Sequence, residues 1–139
     1  MKRRVMKTDR VTSKVEEEPG LPSLDKFIKE VTVASRNFPI NAYTRWGTLT
    51  VYVRVGPRYL DGTLYEHVID IANVTADVPG KGAFTRLVQH LRSTYPTFSL
   101  YVECVLSARF EAGLERLGFV HTEGHPHCLH MLGDVKNDL

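Results

Sequence analysis

Ile69-Asp70-Ile71-Ala72-Asn73-Val74, followed after Thr75-Ala76-Asp77 by Val78-Pro79-Gly80-Lys81-Gly82-Ala83-Phe84, is the stretch on which the fold turns. Its first half is an extended run. Its second is a glycine-bearing loop, and beyond it Phe84, Leu87, Val88, Leu91 and Tyr95 recur at the spacing of one helical face until Pro96 ends the pattern. A strand that passes through such a loop into a helix aims unsatisfied backbone N–H groups and the positive end of a helix dipole at one place, which suits a pyrophosphate. Glycine lets the backbone come close, and Lys81 adds a mobile positive charge beside it. A Gly-x-Gly alone serves turn geometry equally well. A Walker loop needs four residues between its glycines and then Lys-Ser/Thr, and a dinucleotide fingerprint needs a third glycine; neither pattern is present.

Upstream, Leu49, Val51, Val53 and Val55 alternate with Thr50, Tyr52 and Arg54, predicting a half-buried strand from Thr48. Gly56-Pro57 and Asp61-Gly62 punctuate the connection to a second extended run, Leu64 to Val74, so the two form an antiparallel hairpin. Further upstream, Pro22-Ser23 opens a helix carrying Leu24, Phe27, Ile28 and Val31 on one face. Downstream, Phe98 to Val105 is β-rich, and Ser107 can cap a helix that turns Phe110, Leu114 and Leu117 inward and stops at Gly118. Phe119 to His121 and Cys128 to Leu132 predict two short strands around a turn at Gly124-His125-Pro126. The order predicts an α/β (α+β) fold with a mixed sheet. Its strands at about 67–74 and 98–105, joined by a crossover helix, should be parallel neighbours.

A chain of 139 residues with 42% apolar composition suffices for one ordinary domain, placed here at 21–139. A formal net charge of +2 leaves no molecule-wide case for a nucleic-acid or membrane partner. Residues 1–20 form a charged arm: Lys2, Arg3, Arg4, Lys7 and Arg10, then Glu16, Glu17 and Glu18, then Pro19-Gly20. It reads as a solvated tail, or else as an arm through which nucleic acid or a partner is held. Cys104 and Cys128 make no disulfide framework and read as reduced, packed thiols, and no apolar run approaches the roughly 18 residues of a spanning helix. A cytoplasmic protein is expected.

The loop and its surroundings resemble the GNAT acyltransferase family, whose pyrophosphate loop reads Arg/Gln-x-x-Gly-x-Gly/Ala between a central strand and a helix. Asp77-Val78-Pro79-Gly80-Lys81-Gly82 matches both glycine positions and departs at the first. The resemblance continues through Glu103-Cys104-Val105-Leu106-Ser107 and Gly113-Leu114-Glu115-Arg116-Leu117-Gly118-Phe119, covering much of 48–132. An Asp-Ile-Ala-Asn strand followed by Gly-Lys-Gly-x-Phe is similar to small GNAT-like proteins of bacteriophage and plasmid genomes. The resemblance implies a mostly antiparallel sheet whose central parallel pair splays at a coenzyme cleft, with helices on both faces. It implies acetyl-CoA as co-substrate and direct attack on the thioester by an amine, carried by a small molecule or a protein.

On that reading the coenzyme lies against Val74, Ala76, Val78, Gly80, Lys81, Gly82, Ala83, Phe84 and Ser107. Ser107 stands where the family has Asn, and Leu114 where it has the Tyr that protonates the departing thiolate, so another acid such as Tyr101 or water is needed. Glu103 interrupts an apolar strand and is the candidate base, its pKa expected to rise with burial; the alternative is a salt-bridged structural carboxylate. Asn73 either serves the cleft or holds a strand bulge, and Asp70 either reaches the substrate or makes a structural pair. Tyr43, Trp46 and Tyr52 line the acceptor side or fill the core. His121, His125, His127 and His130 lack a zinc-site spacing with Cys128, so no metal is expected. The rival to catalysis is a GNAT-fold binding module, such as a phage protein engaging a host enzyme; a homodimer is compatible with either.

Overall fold

The alternation in the first predicted strand is realised in a computed structural model that describes residues 20–34 and 37–134. The arm at 1–20 therefore lies outside the described residues, apart from Gly20. In chain order the elements are α1 (Leu24–Ala34), β1 (Ile40–Trp46), β2 (Leu49–Leu60), β3 (Thr63–Ala76), α2 (Ala83–Thr94), β4 (Ser99–Val102), α3 (Ala108–Arg116), β5 (Val120–Thr122) and β6 (His125–Met131). The strands form one six-stranded sheet in the order β1-β2-β3-β4-β6-β5. Every neighbouring pair is antiparallel except β3 and β4, which α2 joins by the expected crossover.

Leu49, Val51, Val53 and Val55 of β2, Ile69 and Ile71 of β3, Leu100 and Val102 of β4 and Leu129 of β6 share one face of the sheet and one buried cluster. Leu24, Phe27 and Ile28 of α1, Leu87, Val88 and Leu91 of α2, and Leu114 of α3 join that same cluster. Helices were expected on both faces. The opposite face instead carries a small cluster of Leu60, Val68 and Tyr101, flanked by Tyr65 and Cys128, with no residue of a described helix in it. That face also carries Arg54 and Arg58 paired with Asp70, and an antiparallel sheet can leave such a face to solvent.

Several boundaries differ from the sequence reading, among them the strand predicted to Val105, which ends at Val102. β1 precedes the first predicted strand and pairs with β2 from Ile40↔Val55 to Trp46↔Leu49. Gly56-Pro57 lies inside β2, at a break in register between Gly56 and Arg58, so the hairpin connection is Asp61-Gly62 alone. His125 and Pro126 belong to β6 rather than to the turn before it.

The β3/β4 pairing runs from Val68↔Ser99 to Ile71↔Val102. There β4 ends while β3 continues to Ala76, and a last hydrogen bond from Glu103 N–H to Ile71 O, at 3.3 Å, closes the ladder. β3 also changes register against β2 at this level, from Val53↔Ile71 to Tyr52↔Asn73, leaving Ala72 as an extra residue. That is a bulge, a device that bends a strand and re-aims its side chains.

Candidate functional site

Where β3 and β4 part, a cleft of about 440 Å³ opens. The end of β3 forms one wall, with Asn73, Val74 and Ala76, and residues just past β4 form the other, with Glu103 and Cys104. The glycine loop and first turn of α2 close it with Val78, Gly80, Lys81, Gly82, Ala83 and Phe84. The loop needs its glycines for backbone reasons: Gly80 has φ +80° and Gly82 φ +73°, the left-handed region that L side chains avoid. Gly82 is the residue before α2 and no side chain caps the helix there. The amides of its first turn thus lack an intrahelical partner and a side-chain acceptor at the cleft. A groove of about 450 Å³ adjoins, sharing Gly80, Phe84, Thr85 and Phe110 with the cleft and extending along α3 past Arg109 and Arg116.

No family model, curated protein or solved structure matches the chain.

Eight of the predicted coenzyme contacts, Val74, Ala76, Val78, Gly80, Lys81, Gly82, Ala83 and Phe84, line this one cleft, together with Asn73 and Glu103. Ser107 does not: it caps α3, its hydroxyl accepting from Phe110 N–H at 3.2 Å, and borders the adjoining groove. Phe110, expected inward, stands half-exposed edge-on to Phe84 and lines the cleft. Cys104, expected as a packed thiol, is exposed at φ +58°. Leu114 is buried in the core. Tyr101, offered as a substitute acid, is 1% exposed on the opposite face, beneath the Arg58 guanidinium at 4.1 Å. Burial first, then the neighbouring Cys128, push its hydroxyl up to about 12, although Arg58 acts the other way.

Glu103 sits one residue beyond β4 and joins the cleft to the polar face. Arg54 of β2 contacts Glu103 Oε2 at 2.5 Å and Asp70 Oδ2 at 3.4 Å, and Arg58 contacts Asp70 Oδ2 at 3.4 Å. The expected rise in the Glu103 pKa is reversed: a hydrogen bond from Asp70 and the charges of Arg54 and Arg58 outweigh burial and hold it below the ordinary carboxylate value. Asp70 takes the rise instead. Sequence reading missed Arg54, because an arginine on the polar side of an alternating strand reads as solvated, and Arg58, because it fell in the predicted connection after Gly56-Pro57. The signal was there in register terms, since Arg54 pairs with Asp70 across β2 and β3.

At the head of the loop, Asp77 is held by Arg45 at 3.1 and 2.8 Å, and the Arg45 guanidinium keeps its carboxyl below the ordinary value. Its charge is therefore compensated beside the loop. Among the aromatic candidates, Tyr43 stacks on Tyr52 across the polar face with ring centroids 4.6 Å apart, whereas Trp46 packs against the core and His90. The histidines disperse: His130 is buried with Thr122 Oγ1 2.7 Å from its Nδ1, and His121 Nε2 meets Glu111 and Glu115 of α3 at 2.7 and 3.3 Å. The ligand atoms of this last trio lie within 4.8 Å of one another, on exposed or half-exposed side chains at the surface. Among the described residues no helix is long and apolar enough to cross a membrane.

Proposed function

We propose that the chain is an acyl-CoA-dependent N-acyltransferase, with acetyl-CoA as the co-substrate and an amine as acceptor. One observation carries the reading: the uncapped, glycine-opened N-terminus of α2 faces a cleft made where two parallel strands separate. Backbone amides of Gly80 to Phe84 bind the pyrophosphate, favoured by the helix dipole and by Lys81. The pantetheine arm follows the freed edge of β3 at Val74 and Ala76, a segment left unpaired by β4. This brings the thioester toward Asn73 and Glu103, where the amine attacks the carbonyl carbon and gives up its proton. The adjoining groove past Arg109 and Arg116 offers cationic space for the nucleotide end.

The rival reading, a GNAT-fold module that binds without catalysis, has its own support, since Leu114 and Tyr101 are both buried away from the cleft and neither can protonate a thiolate. Acetyl-CoA should raise the melting temperature under either reading. Amine-dependent release of free coenzyme thiol, followed with a thiol reagent across a panel of small amines and peptides, separates them: release supports transfer, and stabilisation without release with any amine supports the module. No stabilisation by acetyl-CoA sinks the acyltransferase reading and leaves the module only a partner other than the coenzyme.

A further inference from the structure

Asp70 stands on the polar face with only 3% of its side chain exposed. Arg54 and Arg58, both from β2, address the same oxygen, Oδ2, each at 3.4 Å, near the limit of a hydrogen bond. Arg54 makes its short contact to Glu103 instead. Oδ1 is buried and has no hydrogen-bonding partner among the described residues. A carboxylate only accepts, and when buried it needs donors at both oxygens; a carboxylic acid needs an acceptor for its O–H. Glu103, held with Asp70 on the same Arg54 Nη1 at 2.5 and 3.4 Å, is such an acceptor.

We infer that Asp70 is held as a carboxylic acid that donates its proton to Glu103, so that the two form one acid–base pair whose open end, Glu103, stands in the cleft wall. The groups that face Asp70 are Arg54 and Arg58 from β2, Tyr101 from β4, and Glu103; no described helix covers this side. Burial first, then the hydrogen bond and charge of Glu103, push Asp70 up to about 8 against the pull of the two arginines.

The chemical consequence rests on the acyl-transfer reading. While Asp70 keeps its proton, Glu103 is a weak base. Once the pair releases that proton to solvent it carries two negative charges and takes up another readily. As the amine attacks, the C–N bond forms, the C–S bond breaks, and the N–H proton passes to the pair and on to the departing thiolate, with no change of oxidation state. Asp70 is a positioning residue here, acting through Glu103.

Titration of the full-length protein carrying ¹³C-labelled Asp and Glu carboxyl groups tests the pair without a substrate. One carboxyl resonance should titrate near 8, vanish in Asp70→Asn, and move down by roughly a unit or more in Glu103→Gln. Asp70→Asn keeps a donor toward Glu103 and should fold. Its melting temperature relative to the parent should improve steadily between pH about 4 and 8, where only the folded parent holds the extra proton. An Asp70 that titrates below about 5, within the ordinary carboxylate range, overturns the inference. So does an Asp70→Asn protein that loses melting temperature against the parent as pH rises. Where thiol release is observed, its rate should climb through pH 8 in the parent and lose that limb in Asp70→Asn. A titrating pair in a protein that never releases thiol upholds the shared proton and removes only the acyl-transfer reading.

Discussion

At the scale of single residues, the chemistry of Glu103 is set by what reaches it. Burial alone would raise its pKa, but Asp70 and two guanidiniums hold it down, so it is ionised at neutral pH and its basicity is tuned through its neighbour. Replacing it with Gln removes the proton acceptor while preserving shape, so turnover should fall by about 10²–10⁴-fold, with acetyl-CoA affinity nearly unchanged, as calorimetry beside a thiol-release assay would read. Gly82 invites the converse experiment. At φ +73° an L side chain is strained, and its Cβ would also come within 3.4 Å of Arg86 Nη1. Gly82→Leu should therefore lower acetyl-CoA affinity at least about tenfold with the fold retained, and unchanged binding would show that these amides do not hold the pyrophosphate. Both residues were legible in the sequence, one as an acid in an apolar run and the other within the loop motif. The contact of Glu103 with Arg54 was not, because it depends on how β2 and the end of β4, far apart in the chain, are brought together.

At the scale of elements, what was legible is what apolar periodicity marks strongly. The stripe of α2 and the alternation of β2 place themselves, whereas β1 escapes because its inward positions, Ile40, Ala42, Thr44 and Trp46, are partly small or polar. Gly56-Pro57 misleads for a different reason. A Cβ at Gly56 would lie 2.7 Å from Pro39 Cα and 3.1 Å from Phe38 O, so the glycine serves a close backbone approach within the strand rather than a turn, and the register break beside it accommodates Pro57. Gly56→Ala should accordingly force a backbone shift and destabilise by about 1–3 kcal/mol in urea unfolding, well beyond an ordinary surface change. The cap of α3 is a milder case: Ser107 accepts from Phe110 N–H, and Ser107→Ala should cost about 1 kcal/mol and loosen the helix that walls the adjoining groove.

At the scale of the whole molecule, α1 is tied to the far end of α2 by one carboxylate. Asp25 accepts from the Tyr95 hydroxyl at 2.5 Å and meets His90 Nε2 at 2.9 Å, joining a residue of the first turn of α1 to residues at the end of α2. Burial works to raise its pKa, but the hydroxyl, the imidazole and Lys29 prevail and hold it below the ordinary value. A carboxyl whose pKa is lower folded than unfolded contributes stability that is present in full above the unfolded pKa, about 3.9, and is lost as pH falls through the folded one. Asp70 acts with the opposite sign, since its raised pKa makes stability fall as pH rises from about 4 to 8 and leaves it lowered above that. The two contributions can therefore be separated by pH. Asp25→Ala should melt below the parent throughout the neutral range, and that deficit should shrink only below pH about 4, once the parent's Asp25 is itself protonated. A deficit that persists undiminished in acid would mean that Asp25 holds the helices through packing rather than through its charge.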